Sequence, residues 1–338
     1  MPMSHRMPWA PQRWAFATLA AILTLFVFAT PARAVCTTAP ATVNLGTASS
    51  FSVAASSQQV VSSTGFSCSG SGVLTLITTN TVTATIQSAT NSLGTQPRLR
   101  SAATGDHIPY VLCRDASCNQ TFPVGTQITW SSTTLLGLLN LFSGPGGTLP
   151  IYVRTLPGTQ VAAGTYQSTV TLSWNWNICS IGALNLCLTR DTGTASSTIQ
   201  ISLIVTPDCA IAAPSVNFGS EALVSSFDAV TQSLSIRCSK GAAYTVGIDN
   251  GIHALNGVRR LSNGANFIEY DVYYPAASNS RWGRTAPERR SSSEATLNPG
   301  SYTGIITQGY TYRAAVNPNQ PTPPGGTYTD TLTIDVQF

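Results

Sequence analysis

Two histidines and eight cysteines are the residues in this sequence whose chemistry could be catalytic or metal-binding. Beyond the first 34 residues, the histidines are His107 and His253. A histidine-centred triad needs a carboxylate and a nucleophile placed around the imidazole, and only Asp106, beside the expected start of a strand, adjoins a histidine. No G-x-S-x-G, H-E-x-x-H or phosphate-binding glycine loop occurs. We therefore expect that the protein is not an enzyme and needs no cofactor.

The cysteines favour disulfide bonds over a metal site. Structural zinc needs four ligands, whereas the C-x4-C pair at positions 113 and 118 has no second pair and no histidine pair nearby. An even number of cysteines in an exported chain is typical of a disulfide framework. All eight follow residue 34: Cys36, Cys68, Cys113, Cys118, Cys179, Cys187, Cys209 and Cys238.

Residues 1–34 have the pattern of a secretory signal. Basic residues precede an apolar run over 14–29, and Ala32-Arg33-Ala34 puts small residues where a signal peptidase cleaves. No later stretch has the roughly 18 to 20 apolar residues that span a membrane. We expect cleavage after Ala34 and export of a protein that is not membrane-spanning.

The remaining chain has few charges, and Lys240 is its only lysine. Its surface is expected to be near neutral and rich in Ser, Thr, Asn and Gln, which argues against nucleic acid as a partner. Short stretches of alternating apolar and polar residues are separated by Gly, Pro, Asn and Ser. This pattern predicts an all-β protein.

An internal duplication divides residues 35–338 into two copies, expected to be domains at 35–207 and 208–338. Each copy begins with a cysteine followed seven residues later by V-N-L-G or V-N-F-G, and later contains a G-T-Y strand. The matching segments are 43–46 with 216–219, 107–112 with 267–272, and 164–166 with 326–328. The spacing predicts two tandem immunoglobulin-like β-sandwiches.

The duplication also predicts disulfide pairs. The first two cysteines of each copy correspond, which gives Cys36–Cys68 and Cys209–Cys238. Proximity in sequence gives Cys113–Cys118 and Cys179–Cys187. The tyrosine of each G-T-Y strand, Tyr166 or Tyr328, is either a corner tyrosine at the start of strand F or a residue that only packs.

The two copies differ at their ends. Copy one continues through S-T-I-Q-I-S-L-I-V-T-P at 197–207, the pattern of a seventh strand, whereas copy two ends at Phe338. We expect the second sandwich to lack its last strand and to leave an apolar groove that a strand from another chain fills, by donor-strand complementation. The expected groove residues are Leu332, Ile334, Val336 and Phe338. Since Cys36 follows the cleavage site so closely, we also expect a subunit that accepts a strand without donating one.

Both copies resemble spore coat protein U domains. The resemblance is clearest in copy two, through L-S-I-R-C-S-K-G, Y-T-V-G-I-D-N-G, Y-D-V-Y and G-T-Y-T-D-T-L-T-I. Two such domains in one exported chain resemble the two-domain tip adhesin of archaic, Csu-type chaperone–usher pili. That family implies a periplasmic chaperone, an outer-membrane usher and an adjacent pilin subunit that donates a strand. It also implies a cell-surface location at the pilus tip, attachment to an abiotic or host surface, and biofilm formation.

Insertions in copy one are the candidate binding region. Two apolar stretches, at 135–142 and 177–188, are expected at the pole distal to the second domain, where exposed apolar loops mark an interaction site. The candidate surface-binding residues are Leu135, Leu136, Leu138, Leu139, Leu141, Phe142, Ile181, Leu184 and Leu186.

The sequence allows alternative interpretations of several segments and of the function. Residues 135–142 could form a short buried helix that closes the end of the sandwich. Trp174 and Trp176 share the inward parity of their strand and are expected in the core, and residues 281–290 are expected to form a solvated loop. The alternative functions are a structural spore-coat or fibre protein without a ligand, and a carbohydrate-binding tip lectin.

Overall fold

A computed structural model describes residues 35–69, 79–132, 141–183 and 186–338, and the fold is given for these residues. They form two tandem β-sandwiches joined near residue 207. Within the described ranges, no helix has the length and hydropathy of a membrane-spanning segment.

The first sandwich is built around a large sheet in which strands from both ends of the segment meet. The sheet has the order β2-β11-β10-β6-β7-β9-β3, and β5 pairs with both β10 and β8, while β1 pairs with β4 separately. The elements are β1 (Val35–Thr38), β2 (Ala41–Ser49), α1 (Ser50–Ala55), β3 (Gln59–Ser63), β4 (Phe66–Ser69), β5 (Asn80–Ala89), β6 (Arg98–Ser101), β7 (His107–Cys113), β8 (Gln127–Ser132), β9 (Pro150–Thr155), β10 (Gly164–Ala183) and β11 (Leu186–Thr206).

The second sandwich repeats this plan with two separate sheets. Their orders are β12-β13-β18-β16-β15 and β17-β14-β19. The strands are β12 (Cys209–Ala212), β13 (Val230–Cys238), β14 (Thr245–Ile248), β15 (Arg259–Ser262), β16 (Phe267–Tyr273), β17 (Arg290–Ser291), β18 (Gln308–Val316) and β19 (Ile334–Gln337), with 3-10 turns at Val224–Ser226 and Ser292–Glu294. The predicted all-β fold of two tandem sandwiches is confirmed.

The alternating pattern of β11 places its apolar residues in the core, as predicted for a seventh strand. Ile199, Ile201, Leu203 and Val205 are all buried. The strand runs antiparallel to β10 and parallel to β2, so that it closes the sheet between them.

The duplication appears as repeated local geometry. The V-N-L-G and V-N-F-G segments form the same turn, in which the Asn44 and Asn217 side chains accept hydrogen bonds of 2.8 and 2.9 Å from the N–H groups of Gly46 and Gly219. Both glycines have φ near +85°, a region that side-chain-bearing residues rarely occupy. All four predicted disulfides are present: Cys36–Cys68, Cys113–Cys118, Cys179–Cys187 and Cys209–Cys238.

Both G-T-Y tyrosines are corner tyrosines, which decides between the two sequence interpretations. The Tyr166 hydroxyl donates to the Ala162 carbonyl at 2.7 Å, and the Tyr328 hydroxyl donates to the Pro324 carbonyl at 2.7 Å. The first bond ties the start of β10 to the loop four residues upstream, and the second does the same for the segment that leads into β19. Tyr166 is buried, whereas Tyr328 is half-buried.

The two sandwiches meet at the loop that contains Asp106. One carboxylate oxygen of Asp106 lies 2.5 Å from Lys240 Nζ, and the other accepts from Ala162 N at 2.9 Å. The buried hydroxyls of Ser50 and Ser239 form a second bond across the junction. Asp106 therefore joins two loops of the first sandwich to the second.

Burial, followed by repulsion from Arg98 and Arg100, lowers the pKa of the adjacent His107.

The corner bonds predict a matched pair of stability changes. Tyr166→Phe leaves a buried carbonyl without its donor and should lower the free energy of unfolding of the first sandwich by about 1 to 3 kcal/mol. Tyr328→Phe should cost less, because water can replace the hydroxyl at the more exposed position. Urea denaturation followed by fluorescence measures both changes, and equal losses in the two variants would contradict this account.

Candidate functional site

The second sandwich has a groove where the first has a strand. In the first sandwich, β11 lies between β2 and β10. The counterparts in the second are residues 213–221 and β19, and within the described residues 186–338 no strand lies between them. The space they enclose is an open groove of about 360 Å³. The predicted absence of the last strand is confirmed.

Most residues that line the groove are apolar. The polar lining residues are Ser215, Asp330 and Thr331. The apolar lining residues come from both sheets and from residues 213–218: Ala213, Pro214, Val216, Phe218, Leu234, Ile248, Leu261, Tyr270, Val272, Tyr312, Ala314, Leu332 and Ile334.

The four predicted groove residues occupy different positions. Leu332 and Ile334 line the groove and are half-buried. Val336 is half-buried and packs against the core. Phe338 is 59% exposed and lies outside the lining.

The backbone next to the groove is only partly paired. β19 pairs along one edge with β14, with Val336 opposite Val246, and its other edge is the edge of the sheet. Residues 213–221 belong to no ladder of the described chain. An unpaired edge beside an apolar groove is the geometry that accepts an extended peptide.

The described residues that flank the apolar insertions of the first sandwich meet at one end. Cys179 N donates to Asn80 Oδ1 at 2.7 Å, and Asn80 is paired with Ser132. Arg190 donates to the Thr79 carbonyl at 3.3 Å. Because β10 runs from the Asp106 junction toward Cys179, these flanks lie at the end away from the second sandwich.

The predicted surface-binding residues fall into three groups. Leu135, Leu136, Leu138, Leu139 and Leu184 lie outside the described residues. Ile181 and Leu186 belong to the paired ends of the β10–β11 hairpin. Leu141 and Phe142 are half-buried and pack against the core, and the Phe142 ring stacks on Phe66 with 6.4 Å between centroids.

Beneath this end lies an aromatic cluster that includes both tryptophans expected in the core. Trp174 is buried, stacks on Phe66 at 4.9 Å and donates to Ser197 Oγ at 2.8 Å. Trp176 meets the Phe66 ring edge-on at 5.5 Å. Gly193, opposite Trp176, leaves room for the indole, since a Cβ there would lie 2.3 Å from Trp176 Cζ2.

The segment 281–290 is only in part the solvated loop that its sequence predicted. Trp282 is fully buried, and the side chain of Arg289 is only 9% exposed. Arg281 lies 2.8 Å from Asp271 and 3.0 Å from Glu288. Residues 284–287 are exposed, as expected for a solvated loop. The expectation fails for Arg281 and Arg289, because their partners Asp271 and Asp335 lie outside the segment, which periodicity does not reveal.

His107 and His253 belong to different sandwiches. Burial raises the pKa of Tyr110 to about 12, and its hydroxyl lies 3.0 Å from Ser168 Oγ in a structural contact. No group of three or more His, Cys, Asp or Glu in the described ranges is arranged to hold a metal.

The fold has counterparts among known proteins. The model of the Spore Coat Protein U domain matches residues 22–173 and 195–335. The chain therefore belongs to the Spore Coat Protein U domain family. The second match begins within β11, before the expected boundary at 207/208. No curated protein matches the sequence significantly.

Solved structures of adhesive subunits resemble the chain to different degrees. The pre-assembly complex of CsuC and the tip adhesion subunit CsuE, from archaic chaperone–usher Csu pili of Acinetobacter baumannii, contains a chain that matches with a TM-score of 0.65 and 28% identity. That match covers 90% of this chain and 100% of the other.

Two further matches are weaker. CfaE, the adhesive subunit of CFA/I fimbria of enterotoxigenic Escherichia coli, has a TM-score of 0.29 and 11% identity, with 88% and 92% covered. A chaperone–tip adhesin complex of CFA/I fimbriae gives the same score and identity, with 88% and 96% covered. Scores this low support no argument about function.

The close contact between Gly193 and Trp176 predicts that a methyl group added at position 193 destabilises the first sandwich. Gly193→Ala must displace the indole and should lower the stability of the first sandwich by about 1 to 3 kcal/mol. The near-UV circular dichroism of the tryptophans should change with it. Thr194→Ala, at the exposed neighbouring position, is the control and should stay within about 0.5 kcal/mol of wild type. If the near-UV circular dichroism spectrum of Gly193→Ala were the same as that of Thr194→Ala, the packing role of Gly193 would be refuted.

Proposed function

We propose that the protein is the tip adhesin of a chaperone–usher pilus, which accepts a strand in its second sandwich and binds a surface with its first. The open groove carries this proposal. The similarity to a tip adhesion subunit held by its chaperone supports it.

The proposal includes the route to the cell surface. Residues 1–34 serve as the export signal, residues 35–207 form the adhesive domain, and residues 208–338 form the pilin domain. A periplasmic chaperone covers the groove before assembly, and an adjacent pilin subunit fills it at an outer-membrane usher. The product is a surface fibre whose tip attaches the cell to an abiotic or host surface and promotes biofilm formation.

The first sandwich indicates what the groove should bind. There, β11 contributes the buried residues Ile199, Ile201, Leu203 and Val205. Burying a side chain of this kind stabilises a fold by about 1.5 to 3 kcal/mol. A strand with the same alternation would cover the apolar lining and pair with the open edge of β19.

A synthetic peptide with the sequence of residues 197–206 tests the groove. At a concentration well above its dissociation constant, the peptide should raise the unfolding temperature of the second sandwich of the full chain, because a ligand that binds only the folded state stabilises it. Differential scanning calorimetry measures the shift. A peptide with Ile199, Ile201 and Leu203 replaced by Ser is the control. If neither peptide causes a shift, or both cause the same one, the groove does not accept a strand in this way.

The adhesive part of the proposal concerns the apolar residues at the distal end. Apolar loops supported by a disulfide-linked hairpin would contact an apolar surface with little loss of conformational freedom. The positions of the described flanks and the Cys179–Cys187 bond are consistent with this arrangement.

Charge introduced into the predicted loops should remove attachment. Leu138→Asp with Leu139→Asp should reduce attachment of fibre-bearing cells to polystyrene at least tenfold, because binding would then require burial of a carboxylate. Leu93→Asp is the matched control, since Leu93 is 67% exposed in a loop toward the other end of β10. Fibre yield is measured by immunoblot. Normal attachment by the double variant would rule out these loops, and a glycan array then tests a lectin.

A further inference from the structure

The duplication allows the last strand of the second sandwich to be compared with a strand that is paired on both sides. Aligned on their G-T-Y starts, residues 329–337 of the second sandwich correspond to residues 167–175 of β10. Asp330 and Asp335 then take the places of Ser168 and Ser173. Ser173 is flanked by Ser196 of β11 and Thr85 of β5, whereas β19 has a partner on one side only.

Asp335 is held by two arginines on the paired side of the strand. Its Oδ2 lies 2.8 Å from Arg289 Nη1, and its Oδ1 lies 3.3 Å from Arg284 Nε. The Arg289 guanidinium also donates to the Thr245 carbonyl at 3.0 Å and to Thr245 Oγ1 at 3.0 Å. Arg289 therefore joins the side chain of the last strand to the backbone of β14.

The space for Arg289 depends on a glycine. A Cβ at Gly247 would lie 2.5 Å from Arg289 Nη1 and 3.0 Å from Arg284 Cα. Gly247 is itself paired with Asp335 across the ladder. Arg284 and Arg289 thus lie directly over the Gly247–Asp335 pair of the ladder, which their contacts with Asp335 stabilise.

Asp330 anchors the segment that leads into β19, and it also lines the groove. Its Oδ2 accepts from the Tyr270 hydroxyl at 2.7 Å, and its Oδ1 accepts from Ile252 N and His253 N at 3.1 and 3.3 Å. Gly251 permits this contact, since a Cβ there would lie 2.0 Å from Asp330 Oδ2. In the first sandwich, Ser168 contacts Tyr110 in the equivalent place.

We propose that Asp330 and Asp335 are positioning residues that hold residues 329–337 in the register required for uptake of a complementing strand. With a sheet partner on one side only, a short edge strand would detach readily. Two charge-assisted contacts, one near each end, oppose this opening. A strand fastened along one edge presents its other edge to the groove.

This inference rests on the proposed strand uptake. The kinetics of uptake distinguish a failure of the positioning role from a failure of strand uptake itself. The apparent affinity falls with the fraction of molecules in the competent state. Loss of a carboxylate should therefore act on association, because in the filled state the strand is paired on both sides. Asp335→Asn and Asp330→Asn should each lower the association rate constant of the fluorescein-labelled 197–206 peptide with the full chain at least tenfold. The dissociation rate constant should change less than twofold.

The controls are Ser173→Ala and Ser168→Ala, the equivalent positions of the first sandwich, together with Asp335→Glu, which keeps the charge. All three should bind the peptide within about threefold of wild type, the expected scatter for a change that leaves the open edge in place. Unchanged association in both Asp→Asn variants would overturn the inference. Faster dissociation with normal association would also overturn it, since that result describes general stability only.

Amide hydrogen exchange tests the inference without any peptide. In the free chain, the ladder amides of β19 should exchange at least tenfold faster in Asp335→Asn than in wild type, while those of β10 should not change. Equal exchange of β19 in both proteins would refute the positioning role. Failure of the wild-type chain to take up the peptide, with the exchange difference present, would refute strand uptake and retain the role of Asp335 in fastening the strand.

Discussion

In the first sandwich, β11 forms backbone ladders with two neighbours and at the same time fills the core with its apolar face. These two requirements belong together, because an extended strand whose side chains alternate satisfies both. A sandwich without such a strand would have an open sheet edge beside an apolar groove. The second sandwich has this arrangement, and its other features are best understood as ways of remaining folded around it.

The second sandwich relies on side-chain contacts where the first relies on strand pairing. Arg259 is fully buried, lies 2.6 Å from Asp271 and donates to the carbonyls of Ile248 and Trp282. Arg281 and Arg289 connect loops to strands in the same way. A buried guanidinium satisfies several backbone carbonyls at once through its five donors. Such contacts stabilise a sheet without covering the open edge of β19.

The direction of the chain separates the two proposed activities in space. β10 begins at the junction with the second sandwich and ends at the Cys179–Cys187 hairpin, and β11 returns from there to the junction. The strand that completes the first core is therefore also the connection to the second sandwich. The proposed surface-binding end belongs to the first sandwich and the groove to the second, and the Asp106–Lys240 contact joins the two sandwiches.

Local patterns in the sequence determined the fold class, the duplication, the four disulfides and the difference between the two copies. Such features could be predicted because alternation, turn residues and repeated cysteines act over short distances or recur at matched positions. Sequence reasoning also placed Trp174 and Trp176 in the core, since inward parity is a local property.

Only the tertiary structure decided which polar side chains meet. Nothing near Asp335 in sequence identifies Arg289 as its partner, and the sequence of 281–290 does not show that Asp271 and Asp335 lie against its arginines. The hydroxyl bonds of Tyr166 and Tyr328, the parallel pairing of β2 with β11 and the packing of Phe142 on Phe66 were decided in the same way. The physical reason is that a hydrogen bond, an ion pair or a ring contact depends on distance in space, which the folded chain sets and residue spacing along it does not.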